Sequence, residues 1–180
     1  SCTNLVVRVR FGPGAGPVGV KAALAPYLPV PLVRERPGGR YELADDLPHS
    51  IGRLHGNHGN VGMLVRAYAY IRSLGPEGLR RCSEMAVLNA NYLLARLRER
   101  WHVPFDQPVM HESVLSDRAL ADTRVTTIHA AKRLIDFGYH PPTIYFPLLV
   151  EAGMLIEPTE TESVETLDAS ADTLIAIAAE

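Results

Sequence analysis

The chain has 180 residues, 47% of them hydrophobic, which is enough for a real core and unlike a disordered tail. Its 18 basic and 20 acidic residues give a net charge of −2, without the Lys/Arg block that follows a phosphate backbone, so no nucleic acid partner is expected. No apolar run approaches the roughly 20 residues that cross a bilayer, so no membrane partner is expected either.

The two cysteines, Cys2 and Cys82, lie far apart and in no metal-ligand spacing. This usage suits a reducing compartment, the cytosol or an organelle matrix. The sequence begins without Met, and "LVVRV" near its start is typical of an interior strand. We therefore expect the chain to be part of something longer.

The first fifty residues are rich in proline and glycine. "GPGAGPVGV" (12–20) predicts a turn-rich loop, and "LAPYLPVPLV" (24–33) is too dense in proline for a helix, so extended chain and loop are expected. The glycines could direct backbone N–H groups at a phosphate, but the Gly-Lys-Ser/Thr ending of a P-loop is absent. A plain turn is the alternative.

Two helices are predicted next. "NVGMLVRAYAYIRSLG" (60–75) has helical apolar spacing, and Gly75 can supply a left-handed C-terminal cap. The second helix opens with Pro76. Its predicted apolar face consists of Leu79, Cys82, Ala86, Asn89, Leu93 and Leu97. For Asn89, the polar member, we expect an amide that bonds a backbone carbonyl in the core.

Short strands and helices are predicted to alternate in the rest of the chain. A strand with its approach loop is expected within 101–116, a third helix over 126–138, and a strand at "TIYFPLL" (143–149). The preceding His-Pro-Pro is a rigid connection, because each proline fixes its own φ and restricts the residue before it. This alternation favours an α/β or α+β fold with a small sheet covered by helices.

The last helix is predicted to start in "IEPTETES". Thr159 followed three residues later by Glu162 is a capping-box pattern, so Thr159 is the expected N-cap. Glu160 and Glu162 would then lie at the positive end of the helix dipole.

The sequence lacks the common catalytic arrangements: a serine elbow with its triad, metal-spaced His/Cys groups, and a phosphate loop with its lysine. "MHES" offers His111 and Glu112, but neighbouring residues on a strand point to opposite faces. At most one of them is expected to face a given pocket.

Six phrases carry a family resemblance: "GPGAGPVGVKAALAPYLPVP", "SIGRLHGNHGNVGMLVRAYAYIRSLG", "AVLNANYLLARL", "MHES", "AKRLIDFGYHPPTIYFPLLVE" and "IEPTETESVETLD". In this order they resemble the C-terminal part of glycine dehydrogenase (decarboxylating), the P-protein of the glycine cleavage system. The resemblance covers roughly residues 12–177. It implies a pyridoxal phosphate enzyme of the aspartate aminotransferase type (fold type I). Residues 1–48 would be the end of the large domain and 49–180 the small C-terminal domain.

The resemblance also implies a reaction. In this family a lysine forms a Schiff base with pyridoxal phosphate, glycine replaces the lysine, CO2 leaves, and the aminomethyl group passes to the lipoyl arm of the H-protein. The family carries that lysine in an Asn-Leu-His-Lys-Thr segment. Here Asn4 and Leu5 are followed by Val-Val-Arg, and neither Lys21 nor Lys132 matches the position. Arginine cannot replace it, because it stays protonated.

Two hypotheses follow from the missing lysine. In the first, the chain is a truncated or split P-protein that decarboxylates glycine together with a partner chain carrying the lysine. In the second, it is a noncatalytic interaction module, or a nonfunctional fragment, that binds a P-protein partner or H-protein. Arg66 and Arg72 are candidate contacts to a substrate carboxylate or a partner, although exposed helix arginines are usually neither.

The resemblance suggests four site residues. Gly14 and Gly16 would approach the cofactor phosphate, with a plain turn as the alternative. His140 and Glu160 would flank the wall of a substrate channel. Their alternatives are a loop histidine and a carboxylate that only meets the helix dipole.

Overall fold

The structure is a computed structural model, and it describes residues 18–54, 56 and 58–180. The chain divides into two compact units between Leu74 and Gly75. A boundary between large-domain remnant and small domain at residues 48 and 49 stays a prediction.

The unit before Gly75 contains a hairpin of β1 (Leu32–Arg36) and β2 (Arg40–Ala44), paired antiparallel. The glycines of the turn between them have positive φ, which suits residues without a Cβ. A 3-10 helix, Ala22–Tyr27, precedes the hairpin. The prediction that this proline-rich stretch holds no helix was wrong for this short 3-10 helix. Its hydrogen bonds come from the N–H groups of Leu24 and Leu28, so none is needed from Pro26.

The predicted pair of helices is confirmed as one long element, α1 (Val61–Leu97), broken at Gly75. Gly75 has φ 63° and ψ −177°, so the helical path stops there and the second arm starts at Pro76. Proline is tolerated at this position because the first helical N–H groups have no intrahelical partner. The buried side chains of the second arm are Asn89, Ala90, Leu93, Leu94 and Leu97.

The unit after Leu74 contains a three-stranded antiparallel sheet in the order β3 (Ser113–Ser116), β5 (Gly153–Ile156), β4 (Thr143–Ile144). A 3-10 helix, Asp117–Thr123, follows β3. Two further helices are α2 (Thr127–Asp136) and α3 (Val164–Ala179). The α+β expectation is confirmed, since these helices and the second arm of α1 share one core with the sheet.

The predicted strand over 143–149 was wrong beyond Ile144. Tyr145 has a positive φ of 57°, which turns the chain away, and Pro147 has no N–H to give to a ladder. The central strand β5 was not predicted, because its apolar run of four residues is too short to show an alternating pattern.

The predicted N-cap of the last helix was also wrong. The cap is Ser163, whose Oγ accepts a hydrogen bond from Thr166 N–H at 3.3 Å. The Thr159 hydroxyl instead lies 2.9 Å from the Thr161 hydroxyl, within a turn closed by Glu162 N–H on Thr159 O. Because of this non-helical turn, the helix begins about four residues later than predicted. Glu165 is therefore the acidic residue in its first turn.

Replacing Ser163 by alanine should therefore lower the free energy of unfolding by about 1 kcal/mol, the usual loss for a cap. Chemical denaturation followed by circular dichroism measures it. Thr159→Ala is the matched control and should stay within about 0.5 kcal/mol, because its hydroxyl caps nothing. The reverse ranking would restore Thr159 as the cap.

Candidate functional site

Three loops meet at one end of the sheet because the central strand is antiparallel to both neighbours. Ser113 pairs with Ile156, and Thr143 pairs with Leu155, so the starts of β3 and β4 lie beside the end of β5. We call the three loops, residues 109–112, 139–142 and 157–162, the loop cluster. They contain parts of three of the phrases that carry the family resemblance.

His111 joins two of these loops. Its Nε2 lies 3.1 Å from Glu112 Oε1 and 3.8 Å from Glu157 Oε1. Of these two neighbours, Glu112 lines a pocket beside this loop and His111 does not, which agrees with the expectation that at most one of them faces a given pocket.

The topology brings His140 and Glu160 to this same loop cluster. His140 is exposed, and its ring Nδ1 lies 3.0 Å from Pro141 O, so this nitrogen carries the proton and donates. Glu160 is half-buried in the turn before α3. No hydrogen bond joins these two side chains in the described structure, and their place in a channel wall stays a prediction.

The other candidates do not belong to the loop cluster. Gly14 and Gly16 lie outside the described residues. Arg66 and Arg72 are exposed on the first arm of α1, in the other unit.

The sequence contains two lysines, and both are exposed. Lys21 precedes the 3-10 helix of the first unit, and Lys132 lies on α2. Neither belongs to the loop cluster. The described residues therefore do not fit a cofactor that is anchored to a lysine of this chain.

A cleft of about 670 Å³ opens at the opposite end of the sheet, and sequence reasoning missed it. His102 Nδ1 lies 2.7 Å from Ser116 Oγ, and Asp117 accepts from Thr127 N–H at 2.9 Å. The Thr127 hydroxyl donates to Ala152 O at 2.6 Å. The polar groups of these contacts are paired with one another, so they stabilise the strand ends.

Among the described residues, no group of His, Cys, Asp or Glu is arranged to hold a metal ion. No helix of that same part of the chain has the length and apolar character that a membrane crossing requires.

An ion pair joins α2 to the end of α3. Arg133 Nε and Nη2 donate to the two carboxylate oxygens of Glu180 at 2.7 and 2.8 Å, and Nη1 donates to Asp136 at 3.3 Å. The hydrogen bond from Arg133 and its charge lower the pKa of Glu180.

A pH dependence follows from this pair. A lowered carboxyl pKa stabilises the folded state fully above the ordinary glutamate value of about 4.3, and this stability is lost as the pH falls through the lowered value. Glu180→Gln should therefore lower Tm at neutral pH, and the Tm of this variant should decrease less than that of wild type as the pH falls. High salt should reduce both differences, because it screens the ion pair. Glu99→Gln, at an exposed glutamate without an ion pair in the described structure, is the control. An identical acid profile for wild type and Glu180→Gln would contradict the assignment.

Comparison with known proteins gives a consistent result. The family profile described as "Glycine dehydrogenase, C-terminal domain" matches residues 82–180. The chain is 57% identical over 169 residues to the probable glycine dehydrogenase (decarboxylating) subunit 2 of Bacillus licheniformis, covering 94% of this chain and 35% of that protein. It is 59% identical to the protein of the same name from Halalkalibacterium halodurans, covering 94% and 34%. The chain thus spans about a third of the length of these relatives.

A solved structure shares the fold. The match is to the crystal structure of glycine decarboxylase (P-protein) of the glycine cleavage system in inhibitor-bound form, with a TM-score of 0.71 and 22% identity. It covers 89% of this chain and 38% of that one.

Proposed function

Because the chain belongs to the glycine dehydrogenase family and matches its C-terminal domain, we propose that it acts as the C-terminal portion of the P-protein. The proposed reaction is decarboxylation of glycine with transfer of the aminomethyl group to the lipoyl arm of the H-protein. Pyridoxal phosphate supplies the electron sink when bound. The proposed location is the bacterial cytoplasm, or the mitochondrial matrix in a eukaryote.

The loop cluster is the observation that carries this proposal. "MHES", "YHPP" and "EPTETE" lie far apart in the sequence, yet each includes residues of a loop at the same sheet end. We assign the loop cluster to the wall that faces the substrate channel.

In the proposed wall, His140 has one ring nitrogen in a hydrogen bond and a second that could bind a ligand. Its Nδ1–H is engaged by Pro141 O, so in the neutral ring Nε2 is an acceptor that would be available to a ligand. The Glu160 carboxylate would add negative charge beside an incoming ammonium group. Both groups would orient the substrate and would not form bonds to it.

In this proposal the lysine lies outside the given sequence, in a preceding part of the P-protein or in a partner chain, because neither Lys21 nor Lys132 lies at the loop cluster. The relatives are named subunit 2, which fits an enzyme made of more than one chain. Gly14 and Gly16 remain candidates for the loop that approaches the cofactor phosphate.

A chimaera tests the proposal. Residues 12–177 replace the matching segment of the Bacillus licheniformis relative, and glycine-dependent CO2 release is measured with its partner subunit, pyridoxal phosphate and lipoylated H-protein. We expect activity with the graft and none when the segment is deleted. His140→Ala and Glu160→Gln should raise KM for glycine, and Glu99→Gln should not.

Borohydride reduction supplies a second readout. The chimaera should label at one lysine of the Bacillus sequence, and the 180-residue chain alone should label Lys21 and Lys132 only sparsely. A folded chimaera that is inactive would overturn the proposed function. Stoichiometric labelling of one lysine in the chain alone would overturn the placement of the lysine outside the given sequence.

A further inference from the structure

Asn91, on the second arm of α1, forms hydrogen bonds with the backbone of the loop that leads to His111. Its Oδ1 accepts from Val109 N–H at 3.0 Å, and its Nδ2 donates to Val109 O at 2.7 Å. The same nitrogen donates to Val87 O, one turn back in the helix, at 2.7 Å. Both amide hydrogens and the amide oxygen are therefore in use.

Asn89, two residues earlier, holds the second loop of the cluster. It is 4% exposed, and its Nδ2 donates to Thr159 O at 2.8 Å. That carbonyl also accepts from Glu162 N–H at 3.3 Å, so Asn89 bonds the turn at the point where it closes.

The two bonds fall beside the candidate site residues. Val109 lies two residues before His111, and Thr159 adjoins Glu160. One stretch of rigid helix, "NAN", thus fixes two loops that are far apart in the sequence. Catalytic groups gain precision when their supporting loops are locked by hydrogen bonds from a rigid element.

No other side chain reproduces these contacts. Aspartate has no N–H to donate and would place a carboxylate against Val109 O or Thr159 O, and glutamine is longer by one methylene.

We propose that Asn89 and Asn91 are positioning residues, which set the places of Glu160 and His111 by holding Thr159 and Val109. This inference rests on the proposed function. It adds that the geometry of the substrate-channel wall is set by the helix, without contact between the asparagines and the substrate.

The test uses Asn89→Asp and Asn91→Asp, with Thr127→Val as matched control. Thr127 is fully buried and donates one hydrogen bond to a backbone carbonyl at the opposite end of the same sheet. In the 180-residue chain, hydrogen exchange of segments 105–112 and 157–163 should rise about tenfold in Asn91→Asp and Asn89→Asp respectively. Thr127→Val should leave both segments unchanged.

The pH supplies a rescue. Lowering it protonates the introduced carboxyl, which gains an O–H donor, so protection at Val109 should return in Asn91→Asp but not in Asn91→Ala. If Asn91→Asp does not fold, Asn91→Ala is used in its place for the exchange measurement. Unchanged exchange in folded Asn91 variants would overturn the inference.

In the chimaera, at a temperature where each variant is folded, kcat/KM for glycine should fall about tenfold for the asparagine variants and stay at the wild-type level for Thr127→Val. Loosened loops with wild-type kinetics would overturn the positioning role while leaving the proposed function intact. An inactive wild-type chimaera would instead overturn the proposed function itself, and the inference with it.

Discussion

Replacing Trp101 by alanine should lower the free energy of unfolding by about 3–5 kcal/mol, a large part of what holds a domain of this size folded. Trp101 is 2% exposed and fills the core after the second arm of α1. Its Nε1–H also donates to Leu174 O on α3 at 3.1 Å. The substitution removes the largest core side chain and its hydrogen bond to α3.

Denaturation followed by far-ultraviolet circular dichroism measures this loss. Trp101→Phe is the control that keeps most of the volume and removes the hydrogen bond, so it should cost clearly less. Equal losses in the two variants would show that the bond to Leu174 matters more than the packing.

Gly153→Ala should destabilise the sheet by about 1–3 kcal/mol, the cost of forcing atoms into a packed site. A Cβ at this first residue of β5 would lie 2.9 Å from Phe146 O and 3.3 Å from Val150 O. Both are backbone atoms that a side-chain rotation cannot move. We expect the connection between β4 and β5 to shift.

The fluorescence of Trp101 reports this unfolding, because the sequence has one tryptophan. Gly62→Ala is the matched control: its Cβ would meet only Asn60 Oδ1, at 3.9 Å, and the helical position favours alanine. The Trp101 transition should move for Gly153→Ala and stay in place for Gly62→Ala. A shift in the control alone would contradict the steric argument.

The helices could be predicted from the sequence and the strands largely could not. Helical periodicity extends over many residues in α1 and α3, and Gly75 with Pro76 marks a break that local chemistry alone imposes. The strands of the second unit are two to four residues long, too short for an alternating pattern to be recognised. The N-cap was misplaced because Thr159 and Ser163 are both residue types that cap helices. The hydrogen bond from Asn89 to Thr159 O holds Thr159 in the preceding turn, and Ser163 accepts the capping bond from Thr166 N–H.

The candidate site was predictable in part. The resemblance pointed to His140 and Glu160, but the approach of His111 to Glu157 depends on sheet register, which the sequence did not reveal. Asn89 was correctly predicted to bond a backbone carbonyl. The reciprocal contact of Asn91 with Val109 was missed, because no local pattern distinguishes an asparagine that reaches a loop from one that faces water.

The sheet register has a consequence for the order of folding. Ser113 meets Ile156 across 43 positions, and Asn89 meets Thr159 across 70. Contacts of such separation form late, since loop-closure entropy must be overcome first. During synthesis from the N-terminus, the helix that carries Asn89 emerges well before its acceptor carbonyl exists. We therefore expect a nascent chain that ends before β5 to hold helices but no loop cluster, which is completed only when residues 153–162 have left the ribosome.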